Sequence, residues 1–188
     1  MNLTTGEASD AFFGGEVPEA VRALLHQAAL ARADERGALL WTAQAIAPAT
    51  LAVYYALYKY HAGRRELAQA EQAAQRGLSE AAVQAGLAPD WAAVAPGCGA
   101  DFQGDGPARF WLFTLKALAF IRLRSGRPDE ARALLAHIEL LQPGSRLGHD
   151  VIGAMVQATA GLAAAPPVGG SGMAGAAEAP GTPGARRA

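Results

Sequence analysis

Tyr55-Ala56-Leu57-Tyr58-Lys59-Tyr60, then Gly63-Arg64 and Ala68, runs on the same plan as Leu118-Ala119-Phe120-Ile121-Arg122-Leu123, then Gly126-Arg127 and Ala131. Each passage is an apolar run at helical spacing, a glycine where the run stops, a cation, and a small residue as helical spacing resumes. Glycine suits such a stop because, lacking a Cβ, it enters the left-handed conformation that ends many helices. Placing Gly63 on Gly126 predicts two helix–turn–helix hairpins, the second repeating the first 63 residues on. This echo decides the fold class: all-α, built from antiparallel helical hairpins.

Outward from the hairpins the chain reads as further helix. Val21, Leu24, Leu25, Ala28 and Ala29 recur at helical spacing after Pro18 and Glu19, which suit a helix start. A second helix is expected over 35–46, a third over 49–62 opened by Pro48, and a fourth over 64–85. Residues 86–107 carry five glycines and three prolines and read as a connector, with one turn of helix near Asp90 to Val94. Helix resumes over 108–124 and 128–141, and Ser145 is placed to cap a last helix ending near Leu162. The helical domain thus covers 16–163. Residues 1–15 are expected to be irregular, and 164–188, rich in Pro, Gly and Ala, disordered.

Composition narrows the function. The 188 residues suit one compact domain, and 16 Lys and Arg against 17 Asp and Glu create no global field for nucleic acid or anionic membrane. Cys98 is the single cysteine, so an intrachain disulfide is excluded. Residues 1–13 carry Glu7 and Asp10, no Lys or Arg and no continuous apolar run, unlike a secretory signal. No uncharged apolar run is long enough to span a bilayer. A cytoplasmic protein is expected.

The segment from Leu115 to Pro143 resembles a tetratricopeptide repeat. Leu115, Leu118 and Ala119 fall on its first helix, Gly126 at its turn, Ala131, Leu135 and Ile138 on its second helix, and Pro143 at its close. The earlier copy keeps Tyr55, Ala56, Gly63 and Ala68, but sets Gln72 and Gln75 where large apolar residues are usual. Both copies place a base, Lys59 or Arg122, where the repeat usually has an aromatic. The resemblance implies a short α-solenoid or bundle. The Tyr-rich helix and the run Phe110 to Phe120 (FWLFTLKALAF) are also similar to small repeat proteins encoded among bacterial nitrogen-fixation genes.

Chemistry is hard to find in the residues. His26, His61, His137 and His149 form no i,i+3 or i,i+4 pair that could hold a metal from one helix. Cys98 lies between two glycines with no Lys, Arg or His beside it to lower its pKa, and reads as an incidental loop residue. Gly104-Asp105-Gly106 lacks the length and the Lys-Ser/Thr ending of a phosphate loop, and no carboxylate pair or serine elbow stands out. No enzyme activity, cofactor or metal is expected.

What remains is surface. In tetratricopeptide domains the first helix of each hairpin lines the ligand-holding face, a role that by resemblance falls on Val53, Leu57, Tyr60 and His61, and on Phe113, Lys116, Phe120, Leu123 and Arg124. Helix-spaced aromatics are more commonly core. Tyr55 and Leu118 read that way, while Tyr60 and Phe120 fit either description. Lys59, Arg64 and Arg65 at one turn, and Arg122, Arg124 and Arg127 at the other, balance the helix dipole and would also attract an acidic partner. The expectation is a non-catalytic adaptor, scaffold or assembly helper that holds another protein in a groove with aromatic anchors and a basic rim. The alternative is a structural subunit burying its helical faces in a homo-oligomer or larger complex, with an accessory role for nitrogenase in view. A small-molecule sensor ranks last.

Overall fold

A computed structural model describes residues 16–143, and every regular element among them is helical. We number them α1 (Glu19–Leu30), α2 (Ala33–Ile46), α3 (Leu51–Gly63), α4 (Leu67–Ala85), α5 (Pro107–Arg124) and α6 (Pro128–Leu141), with a single 3-10 turn at Trp91–Ala93. The expected N-terminal irregular segment, the helix ending near Leu162 and the C-terminal tail lie outside the described residues.

Each helix packs on the next in the chain, and α3 also touches α5. Direction follows from the bonds between them. Tyr60, late in α3, donates its hydroxyl to the Ala33 carbonyl at the start of α2, 2.9 Å away. Gln84, at the end of α4, reaches the Ala49 carbonyl just before α3. Glu71, early in α4, meets Arg122 at the end of α5. Alternate helices therefore run parallel, and α4 lies antiparallel between α3 and α5. It can do so because its inner face is small: Ala70, Ala73, Ala74, Gly77, Leu78 and Ala81 recur every three or four residues and are buried. Contact is closest at Gly77, where an added Cβ would sit 2.7 Å from the Tyr54 Cβ and 3.4 Å from Phe110.

The hairpin turns confirm the echo and correct its register. After α5, the amides of Ser125, Gly126 and Arg127 bond the carbonyls of Ile121, Leu123 and Arg122. After α3 the same three bonds run from Arg64, Arg65 and Glu66 to Tyr60, Ala62 and His61. Gly126 at φ 76° thus matches Arg65 at φ 63°, not Gly63, which is the last helical residue. The offset is 61 residues, since Arg65 stands on Gly126. On that register the buried series Ala131, Leu134, Leu135, Ile138 falls on Ala70, Ala73, Ala74, Gly77. Ala68, expected opposite Ala131, is exposed, and Gln72 and Gln75 are not the counterparts of Leu135 and Ile138. The earlier hairpin departs from the later one by being smaller inside, not more polar.

The connector between α4 and α5 is pinned down along its length. Asp90 caps the 3-10 turn by accepting from the Ala92 amide, and Asp101 accepts from the amides of Gln103 and Gly104. Trp91 packs edge-on against His137, Val94 is buried, and Phe102 lies against Trp111. Trp111 and Phe110 are the largest fully buried side chains, and they seat the start of α5 in the core.

Candidate binding groove

Because α3 and α5 are parallel and α4 packs on both, the faces that α3 and α5 turn away from α4 border a common channel. Tyr55, Tyr58, Lys59, Ala62 and Gly63 recur at three- and four-residue steps on α3, and Phe113, Lys116, Ala117, Phe120 and Arg124 do so on α5. Together with Ile121 they line a groove of about 610 Å³. Small residues, Ala62 and Gly63 at the end of α3 and Ala117 midway along the α5 face, leave the space, and aromatic rings wall it.

The rings are braced against one another. Tyr55 meets Tyr58 edge-to-face at 5.5 Å and Phe113 at 5.9 Å between centroids. The Lys59 ammonium lies 4.9 Å above the Tyr55 ring and donates to the Tyr55 hydroxyl at 3.2 Å, while the Arg124 guanidinium stacks over Phe120. Phe113 is 37% exposed, a large apolar side chain open to solvent at the groove. Lys116 is buried to 7% exposure, and that burial pulls its ammonium pKa down, with Glu139 on α6 opposing the shift. Burial holds the Tyr58 hydroxyl protonated far above its ordinary range, an effect reinforced by Tyr55 and partly offset by Thr114. The Tyr58 and Thr114 hydroxyls are neighbours, yet neither completes a hydrogen bond. Among the described residues the charged side chains of the lining, Lys59, Lys116 and Arg124, are cations.

Of the side chains expected to face a ligand, Phe113, Lys116, Phe120 and Arg124 line this groove, and the four assigned on α3 do not. Val53 and Leu57 are fully buried core. Tyr60 is tied to α2 through Ala33 and lies over Gly37, where an added Cβ would come within 2.9 Å of its hydroxyl. His61 is 6% exposed, bonded through Nδ1 to Glu66 at 2.7 Å and packed against Trp41. Leu123 is buried as well. The α3 residues that face the groove are Tyr55, Tyr58 and Lys59, and the 61-residue register finds two of them: Lys116 falls on Tyr55 and Phe120 on Lys59.

The comparisons with known proteins add one relative. No protein-family profile matches the chain, and no solved structure matches it. It is similar to an uncharacterised 19.8 kDa protein in the nifW 5′ region of Azotobacter chroococcum mcd 1. The two are 32% identical over 111 residues, which span 58% of this chain and 62% of the relative. The location beside nifW agrees with the resemblance to proteins of nitrogen-fixation gene regions.

Three of the six cations expected at the two turns, Arg64, Arg122 and Arg127, are paired with acids within the fold. Glu71 accepts from both Arg122 and Arg127, and Glu130 approaches the same two guanidinium groups at 3.5 and 3.3 Å. Arg64 is held by Glu66 at 2.7 Å. Lys59 and Arg124 are the members of the two clusters that reach the groove. Among the described residues no group of three His, Cys, Asp or Glu side chains could hold a metal ion, and no helix is long and apolar enough to cross a membrane. Cys98 is exposed on the connector.

Proposed function

We propose that this chain is a non-catalytic protein-binding module, an adaptor or assembly helper, that receives a segment of another protein between α3 and α5. The observation that carries the reading is the groove itself: about 610 Å³ walled by Tyr55, Tyr58, Phe113 and Phe120, with Lys59, Lys116 and Arg124 as the charged side chains among its described lining. Aromatic walls supply area and shape for an apolar anchor, and the cations select an acidic flank and fix its direction. The hairpin plan supports this, since α3 and α5 are the first helices of two equivalent hairpins, the position that lines the ligand face in tetratricopeptide domains. The relative in the nifW 5′ region supplies a setting, and we place the binding activity in nitrogen fixation as an accessory function.

Affinity capture from lysate of nitrogen-fixing cells tests the reading. The wild-type chain should retain a discrete partner, and Phe113→Ala and Phe120→Ala should each weaken its retention at least tenfold, as expected for anchors near the centre of an interface. Leu30→Ser, at an exposed apolar residue of α1 outside the groove, should not. Undiminished capture by both folded groove variants would sink the proposal.

A further inference from the structure

Eight of the nine glycines among the described residues have a reason within the fold: each holds a positive φ or would set a Cβ against a neighbouring side chain. Gly63 has neither. It ends α3 without a positive φ, the left-handed position of the turn belongs to Arg65, and an added Cβ would meet nothing within 4 Å. Glycine in a helix loses more chain freedom on folding than alanine does. The fold therefore gains nothing from the missing side chain, while the groove gains space: Gly63 is exposed and lines it.

The 61-residue register sets Gly63 of α3 on Arg124 of α5, so the groove ends with a glycine on one wall and an arginine on the other. Phe120, one turn before Arg124, is half-buried there, and the Arg124 guanidinium lies over its ring at 5.6 Å. Arg124 is exposed and makes no ion pair among the described residues, whereas Glu66 holds Arg64 and Glu71 holds Arg122 and Arg127. A guanidinium lying over a ring keeps N–H donors at its edge for a carboxylate. Both α3 and α5 finish at this end and direct the negative ends of their dipoles toward it, which favours a single negative charge over a doubly charged phosphate. Space over Gly63 beside a ring, next to one unneutralised arginine, fits an apolar side chain with an acidic neighbour.

We propose that this end of the groove is a two-part recognition pocket for the partner segment: a leucine, methionine or phenylalanine side chain fills the space over Gly63 against Phe120, and an adjacent Asp or Glu of the same segment pairs with Arg124. The inference rests on the groove being the partner site, and it names the sequence that site selects. Gly63 sets the size of the anchor, and Arg124 sets the sign of the anchor's neighbour. Both roles leave Tyr55, Lys59, Phe113 and Lys116 with the contacts they already make.

Random peptides displayed on phage and selected on the full-length chain are the test, with binding of the enriched peptide measured by fluorescence anisotropy. The wild type should enrich a large apolar residue with Asp or Glu beside it. Gly63→Leu should weaken binding of that peptide about tenfold, as expected for the loss of an anchor, and should melt no lower than the wild type. Arg124→Glu should enrich Lys or Arg where the wild type enriches acids, with the apolar residue kept. Circular dichroism verifies that each chain is folded. Enrichment of the same peptides on all three chains, no enrichment on the wild type, or a lowered melting temperature of Gly63→Leu overturns the inference. Such a failure with partner capture still lost in Phe113→Ala removes the pocket alone and leaves the partner site standing. Capture indifferent to both Phe113→Ala and Phe120→Ala removes the partner site, whatever the peptides show.

Discussion

Tyr54 and Tyr58 stand one turn apart on α3, both buried, and their hydroxyls differ in everything that matters energetically. Tyr54 donates to the Pro48 carbonyl at 2.7 Å and accepts from Gln44 at 3.3 Å. Tyr58 ends beside Thr114 with no completed bond. Removing a bonded buried hydroxyl strands its partners, whereas removing an unbonded one relieves a desolvation cost. Tyr54→Phe should therefore lower the unfolding free energy in urea by about 1–2 kcal/mol, and Tyr58→Phe should leave it unchanged or raise it by up to ~1 kcal/mol. The opposite order would show that Tyr58 is the bonded residue. Helical spacing places both rings on α3, but it cannot say which hydroxyl has a partner, because Pro48 and Gln44 come from the preceding connection and helix. The same boundary separates the groove residues that sequence identifies from those it misses. Phe113, Lys116, Phe120 and Arg124 fall on one face by spacing alone. Their counterparts on α3 depend on how two hairpins are aligned.

That alignment is an element-scale property, and the glycines mislead it. Gly63 looks like the turn residue because glycine commonly ends a helix, yet the left-handed position after α3 is held by Arg65. The Schellman-type bond from Glu66 to the His61 carbonyl, like that from Arg127 to Arg122, forces one residue into that conformation whatever its side chain. Aligning on Gly63 instead shifts α3 by two residues, and at about 100° per residue this turns the helix by roughly 200°. The slip exchanges the groove face for the core face. Val53, Leu57, Tyr60 and His61 are what one meets there. The hairpins themselves survive the slip because apolar runs and stop signals are insensitive to it. Arg65→Gly should raise stability by about 0.5–1 kcal/mol, since it removes a left-handed cost of roughly 1–2 kcal/mol at the expense of greater chain entropy. Gly126→Ala should lower stability by about 1 kcal/mol. Thermal unfolding of the two variants checks both signs, and a loss in Arg65→Gly would contradict the register derived from the turns.

At the scale of the molecule, α4 is the keystone, and Glu71 fastens it to the second hairpin. Burial alone would raise the pKa of this carboxyl, but the hydrogen bonds and charges of Arg127 and Arg122 outweigh it and hold it below the ordinary glutamate range. Its side chain is 15% exposed, as is that of Arg122, so the bonds are only partly screened. A carboxyl whose folded-state pKa is depressed stabilises the fold fully above its unfolded pKa of about 4.3 and loses that contribution as the pH falls through the lower folded-state value. Glu71→Gln keeps the size but removes both the charge and the titration. At pH 7 the variant should be less stable than the wild type by about 1.5–3 kcal/mol, the range for hydrogen bonds to charged groups. Between pH 5 and pH 3 that gap should close, because the wild-type carboxylate becomes protonated while the amide does not change. Urea unfolding of both proteins across this window is the measurement. A gap that stays constant with pH would mean that Glu71 holds α4 by shape alone, and that the cohesion of the stack lies in the alanine face of α4 rather than in the ion pairs at the end of the second hairpin.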